Sequence, residues 1–181
     1  MMHYYKSLGE DWFTFPKLYT EMVNKYDSGT FVEVGVWKGM SAAYMAVEIL
    51  NSGKPIDLHC VDSWEYLASQ GEIPAHKFNN LYATFIHNMK PVSHIVTPVK
   101  AISWEAASQY QDNSLEFVFI DAAHDYHSVK KDLQAWYPKV RDGGTFAGHD
   151  YSWGPEVKRA VDEFFPKGIR ESEGCWIHSK S

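Results

Sequence analysis

The chain has 181 residues, 45% of them hydrophobic and 22% charged, the balance of a globular protein long enough to bury one core without disulfide or metal staples. Its net charge of -6 comes with no basic run to offset it, which argues against a nucleic-acid backbone as partner. Two cysteines, an opening segment without an apolar signal core and the lack of any apolar run of membrane-spanning length lead us to expect free thiols, no membrane contact and a cytoplasmic location.

Short apolar runs alternate with amphipathic ones, the pattern of a doubly wound α/β sheet with crossover helices. We place a helical segment within residues 1–29 and a Rossmann-like core over 30–181, together one domain. Strands are expected at 31–36, 57–62, 94–99, 115–120 and 145–149. Helices are expected at 41–50, 75–89, 103–110, 126–140 and 154–165. The fourth strand is apolar after Glu116, as a central strand covered on both faces should be. The sequence RDGG is expected to end the helix at 126–140, and Pro155 suits the first turn of the last helix. Residues 168–180 resemble two strands turning at Glu173-Gly174, which puts one antiparallel strand into an otherwise parallel sheet. The 66–79 stretch is the least patterned and is a candidate lid. On the helix after the fourth strand, Lys131 and Asp132 are read as surface charges and Trp136 as core.

Three strand ends carry chemistry. The first, FVEVGVWKGMS, sets Gly35 and Gly39 between a strand and a helix, where free backbone N–H groups face a ligand. Its spacing is G-x-x-x-G, with Trp37 in place of the second glycine of the dinucleotide fingerprint, so a close-lying pyrophosphate is not expected. Glu33 inside that strand requires a partner if it is buried. A plain strand-to-helix turn with a surface glutamate is the competing reading. The second strand ends at Asp62, which either accepts ribose hydroxyls or, with Ser63, caps the next helix. The fourth ends FVFIDAAHDYHSVKKDL and the fifth GHDY. These bring Asp121, His124, His149 and Asp150 to adjacent strand ends, where such sheets bind ligands.

These residues, in this order and spacing, resemble class I S-adenosylmethionine-dependent methyltransferases. The run from LEFVFIDAAHDYHSVKKDL through GGTFAGHDY to GPEVKRAVDEFF is similar to the branch that holds macrocin-type O-methyltransferases and cephalosporin hydroxylase-like proteins. The resemblance covers residues 30–181. It implies a seven-stranded, three-layer α/β/α sheet, mostly parallel with one antiparallel strand, and S-adenosylmethionine as cofactor. By the same resemblance Glu33, Gly35, Gly39 and Ser41 face the amino-acid end of the cofactor. Asp62, with Ser63, binds the ribose. Trp64 flanks the adenine or packs in the core, and Ser103 and Trp104 are adenine candidates. Ala101 departs from the glycine or acid usual before that serine.

The resemblance also implies O-methylation of a small hydroxylated acceptor, a sugar among the options. Histidine suits the proton removal that O-methylation requires, so His124 is the candidate base, with Asp121 as metal or cofactor-side ligand. Capping of the next helix by His124 and Asp125 is the competing reading. Asp121, His149 and Asp150 are the candidate ligands of Mg²⁺ or another divalent cation. Imidazole suits zinc, iron or nickel better than Mg²⁺. Asp121 and Asp150 can also hold Mg²⁺ with water, leaving His149 to orient Asp150 or the substrate. Tyr151 and Trp153 are candidate acceptor walls. The first thirty residues pack across the pocket or against a partner subunit of a homo-oligomer. Two further readings stay open. One is an iron hydroxylase using His124, His149 and Asp150, which leaves the glycine turn without a task. The other is a non-catalytic nucleoside-binding module.

Overall fold

A computed structural model of the chain describes residues 1–9, 12–65 and 75–181. Seven strands form one sheet: β1 (Gly29–Val34), β2 (Ile56–Asp62), β3 (Val96–Lys100), β4 (Leu115–Ile120), β5 (Val140–Gly148), β6 (Ile169–Ser172) and β7 (Cys175–Ser179). Their order is β3-β2-β1-β4-β5-β7-β6. The pairings β1–β2, β1–β4, β2–β3 and β4–β5 are parallel, and β7 runs antiparallel to both β5 and β6. The expected architecture is therefore present, including the C-terminal hairpin that supplies the one antiparallel strand. The order reverses between β1 and β4, so a crevice opens beyond their carboxyl ends.

Helices cover both faces. On one lie α1 (Pro16–Lys25), α2 (Met40–Ser52) and α3 (Leu81–Met89), packed on Phe31, Leu58, Phe117 and Phe119. On the other, α4 (Ser103–Ala106), α5 (Tyr126–Trp136) and α6 (Pro155–Phe164) cover Val32, Val118 and Phe146. The alternation of β4 side chains between these two cores is the period-2 consequence of the pleat. Cys60 and Cys175 are free and buried. Among the described residues no helix is long and apolar enough to cross a membrane.

The structure corrects three expectations. The helix predicted at 126–140 ends at Trp136 and passes through a 3₁₀ turn at Tyr137–Lys139, because Pro138 has no N–H to continue the helix. RDGG does not terminate a helix; it lies within β5, which begins at Val140. The helix predicted at 75–89 is divided into a 3₁₀ turn at Ala75–Phe78 and α3, separated by Asn80 in the left-handed region with φ 59°. Asp132 is not a surface charge: it is completely buried, on the stripe of α5 that also carries Val129, Leu133 and Trp136. Of the candidate lid, residues 66–74 lie outside the described residues.

Candidate active site

A cavity of about 460 Å³ opens at the reversal point, a size that suits a small-molecule ligand. Its wall includes Gly35, Ser41, Asp62, Ser63, Ser103, Trp104, Asp121, His124, His149 and Asp150. Residues from the ends of β1, β2, β4 and β5 therefore share one chamber with the start of α4. Three non-glycine residues at or just past these strand ends, Trp37, Trp64 and Asp150, hold positive φ angles of 50°, 48° and 59°. Such conformations persist only where surrounding contacts impose them, and they cluster at ligand sites.

Asp62 is the contact that imposes two of them. Its Oδ2 accepts the amides of Val36 and Trp37 at 3.1 and 2.9 Å, and its Oδ1 accepts the Trp64 amide at 2.7 Å. One carboxylate thus ties the β1–α2 turn to the exit of β2. Burial raises the Asp62 pKa, and the backbone donors offset part of that rise. A carboxylate has about four acceptor positions, so Asp62 retains capacity for a ligand hydroxyl. Trp64, expected in the core or beside the adenine, is in the core: it is 3% exposed, stacks near Phe85 and donates its indole N–H to the Trp37 carbonyl at 2.9 Å. It props up the turn and forms no part of the cavity wall.

Glu33 lies beneath the wall, fully buried in β1. Ser41 donates its hydroxyl to Oε1, while Oε2 and the neighbouring Tyr19 hydroxyl lack hydrogen bonds of good geometry. Burial pushes the Glu33 pKa up to about 8, with Ser41 and Tyr19 opposing the rise. A buried carboxyl with one orphaned oxygen suits a cationic ligand group. Because its folded pKa lies above the unfolded value, the folded state retains a proton that the unfolded state releases, and stability falls as pH rises from about 4.5 to 8. Glu33→Gln should therefore stabilise the ligand-free protein at pH 7 by up to about 3 kcal/mol, a ceiling set by the size of the shift. The gain should vanish near pH 4. Urea unfolding of both proteins at the two pH values checks this, and equal stabilisation at both would contradict it. Gly39 precedes α2, and its carbonyl accepts the Ala43 amide at 2.9 Å. It supports the turn without lining the cavity.

At the ends of β4 and β5 two carboxylates stand between two imidazoles. His124 Nε2 is 3.0 Å from Asp150 Oδ2 and 3.8 Å from Asp121 Oδ1. His149 Nδ1 is 3.5 Å from Asp150 Oδ1 and 3.8 Å from Asp121 Oδ1. Asp121 and Asp150 push the His124 pKa up to about 10 against the opposing effect of burial. Burial alone would raise Asp150, but its hydrogen bonds with His124 and His149 outweigh that and hold it below the usual carboxylate range. His149 is raised too, although burial works the other way, by Asp150 and by the charge of Asp121. Asp121, His124 and Asp150 each offer one donor atom within 4.8 Å of the other two. Asp125 caps α5 by accepting the Ser128 amide at 3.0 Å, which leaves the His124 side chain in the chamber.

The N-terminal segment lies across the pocket, one of the two placements its sequence left open: Trp12, Phe13, Thr14 and Phe15 all line the cavity. Trp153 lines it as well, whereas Tyr151 points to Asp162 at 2.5 Å. Sequence reasoning missed Thr14, whose Oγ1 meets His149 Nε2 at 3.1 Å. No local signal marks it, because its partner is 135 residues away. It also missed the burial of Asp132, which the three-residue step from Val129 could have exposed. Asp132 sits behind α4, and burial pushes its pKa up to about 7.

Residues 32–151 match the methyltransferase-domain family. The chain belongs to that family, and its domain is a class I, S-adenosylmethionine-dependent methyltransferase domain. The O-methyltransferase NovP shares the fold with a TM-score of 0.71 at 19% identity, over 92% of this chain and 79% of its own. The calicheamicin methyltransferase CalS11 does so with 0.63 at 14% identity, over 91% and 76%. An uncharacterized protein of Acanthamoeba polyphaga mimivirus is 29% identical over 145 residues, 76% of this chain and 59% of its own length. Another, of Sinorhizobium fredii, is 26% identical over 122 residues, 66% of this chain and 13% of its length. The chain thus spans less than two thirds of either curated relative.

Proposed function

We propose that the chain transfers a methyl group from S-adenosylmethionine to a hydroxyl oxygen of a small, polyhydroxylated acceptor. One observation carries this: a basic imidazole and two carboxylates at the ends of β4 and β5 converge within 4.8 Å in the chamber that Gly35, Ser41 and Asp62 also line. Similarity to the O-methyltransferase NovP and to CalS11, a TDP-rhamnose 3'-O-methyltransferase, supports oxygen as the acceptor atom.

The bound cofactor supplies an electrophilic methyl on a sulfonium. Glu33, through its orphaned oxygen and with Ser41, anchors the amino-acid end. Asp62 takes the ribose hydroxyls on its remaining acceptor positions. Ser103 and Trp104 border the adenine. Asp121 and Asp150 suit a divalent cation, which would stabilise charge on the acceptor oxygen. His124 takes the acceptor proton as the oxygen attacks, from its neutral form, so with its pKa raised to about 10 turnover should rise with pH through the range above neutrality. Phe13 and Phe15 exclude water from the chamber, and Trp153, 60% exposed at its rim, offers a flat face to a sugar or aromatic acceptor. With reactant and donor held in line, alignment supplies much of the acceleration.

Titration calorimetry with S-adenosylmethionine, followed by detection of S-adenosylhomocysteine with a panel of sugar and phenolic acceptors, tests the reading. Binding that weakens at least about tenfold in Asp62→Ala, given three backbone bonds and a ligand contact on one group, is the expected result. No cofactor binding by the wild-type chain would remove the proposal.

A further inference from the structure

We infer that Asp132 is a positioning residue of the cofactor site: from the buried face of α5 its carboxyl holds Ser103, and with it the start of α4, where the adenosine end of the cofactor meets the cavity wall. The inference rests on the methyltransferase reading for the identity of the ligand. It concerns a residue that does not itself line the cavity.

Asp132 is completely buried, on the stripe of α5 that carries Val129, Leu133 and Trp136. Neither of its carboxylate oxygens makes a hydrogen bond of good geometry. A leucine or an asparagine would fill the same space at a smaller desolvation cost, so packing does not call for an acid here. Burial pushes the Asp132 pKa up to about 7; the Ser103 side chain opposes the rise, Asp125 adds to it and Lys131 lowers it. Ser103, on the neighbouring helix α4, is thus the polar side chain that the carboxyl addresses.

Two further contacts from α5 reach the same place. Trp136, one turn beyond Asp132 and also completely buried, donates its indole N–H to the Ser103 carbonyl at 3.0 Å. Lys131 Nζ stands 4.5 Å from the centre of the Trp104 ring. Three side chains of α5 therefore hold the two residues that open α4, and both of those line the cavity. Helix α4 has four residues and no side-chain cap at Ile102, and so short a helix does not fix its own orientation. Helix α5 has eleven residues and is capped by Asp125, so it supplies the frame. The indole sets the Ser103 carbonyl and the carboxyl sets the hydroxyl. A wall held in place beforehand loses less freedom when the ligand binds. The unfavourable burial of Asp132 is then stability exchanged for geometry, as at other functional sites.

The test compares Asp132→Leu, Asp132→Asn and Ser103→Ala in the full chain, by thermal unfolding and by calorimetry with S-adenosylmethionine and with adenosine. At pH 8 both Asp132 variants should unfold at least about 4 °C above wild type, because a buried charge has been removed. The gain should shrink toward pH 4: a carboxyl raised from 3.8 to about 7 lowers stability as pH climbs between those values. Asp132→Leu should nevertheless bind both ligands at least about tenfold more weakly, the effect of losing a hydrogen bond to a charged group. Asp132→Asn still offers Ser103 a carbonyl acceptor and should stay within about threefold of wild type. Ser103→Ala should lose as much affinity as Asp132→Leu, and the double variant no more than either. A residue that only packs would give the reverse: a lower melting temperature in Asp132→Asn, with the same affinity loss in both Asp132 variants. That pattern, full additivity with Ser103→Ala, or a loss for S-adenosylmethionine without one for adenosine would overturn the inference. Ser103 is half-buried and tolerates alanine, so unchanged affinity in Ser103→Ala overturns it independently of how Asp132→Leu folds. Failure of the wild-type chain to bind S-adenosylmethionine would refute the methyltransferase reading and this inference with it; wild-type binding that Asp132→Leu leaves unchanged refutes the inference alone.

Discussion

Replacing His124 with alanine is expected to lower turnover by about 10²- to 10⁴-fold, the usual contribution of a general base, while S-adenosylmethionine affinity changes little. The expectation follows from where the imidazole sits. His124 Nε2 contacts Asp150 in the chamber, and none of the hydrogen bonds of Asp62 or Ser41 involves it. The neighbouring Asp125, not His124, caps α5, so the substitution should leave the helix start intact. His127→Ala is the matched control, because His127 is exposed and lies outside the cavity wall. Single-turnover rates and calorimetric affinities for the two variants check the claim. Full activity in His124→Ala would remove the base role; equal loss in both would point to the helix rather than to the proton.

Gly35→Ala should be the most damaging single-methyl change in the chain, costing at least about 3 kcal/mol through the combined strain of a left-handed residue and an overpacked strand end. Gly35 has φ +88°, and a Cβ there would stand 2.0 Å from the carbonyl oxygen of Asp121. That neighbour is backbone and cannot swing aside. Either β1 and β4 separate where they flank the cavity, or the Asp121 carbonyl turns and takes its carboxylate with it. A fall in Tm of about 10 °C is expected for a chain of this length, with loss of cofactor binding. Gly53→Ala is the control: Gly53 also has positive φ, at +68°, but nothing lies within 4 Å of its would-be Cβ. Its cost should be confined to the backbone term, about 1 kcal/mol. Similar Tm values for the two variants would show that the close approach to Asp121 does not constrain the site.

Much of this architecture was legible in the chain alone, because local physics carries it. The apolar β4 run and the glycines beyond β1 follow from periodicity and backbone freedom, and the Glu173-Gly174 turn from the hairpin pattern around it. These features placed Asp62, Asp121, His124 and Asp150 at strand ends before any tertiary contact was known. Doubly wound topology then brings neighbouring strand ends to one crevice, so the chamber was predictable in outline. Element ends were less so. Pro138 stopped α5 early, and the glycines of RDGG, read as a helix terminator, lie inside β5 as its fourth and fifth residues.

What only the tertiary structure decided is which atoms face which. Sequence spacing could not separate a Glu33 at the surface from one buried with an orphaned oxygen, nor a Trp64 beside a ligand from one that props the β1–α2 turn. It could not show that the N-terminal segment crosses the cavity, or that Thr14 meets His149 across 135 residues. The division has a physical cause. Strand and helix formation depend on residues a few positions apart, and their pattern is written consecutively in the chain. The orientation of an imidazole or the burial of a carboxylate depends on groups brought together by packing, and no local spacing encodes them.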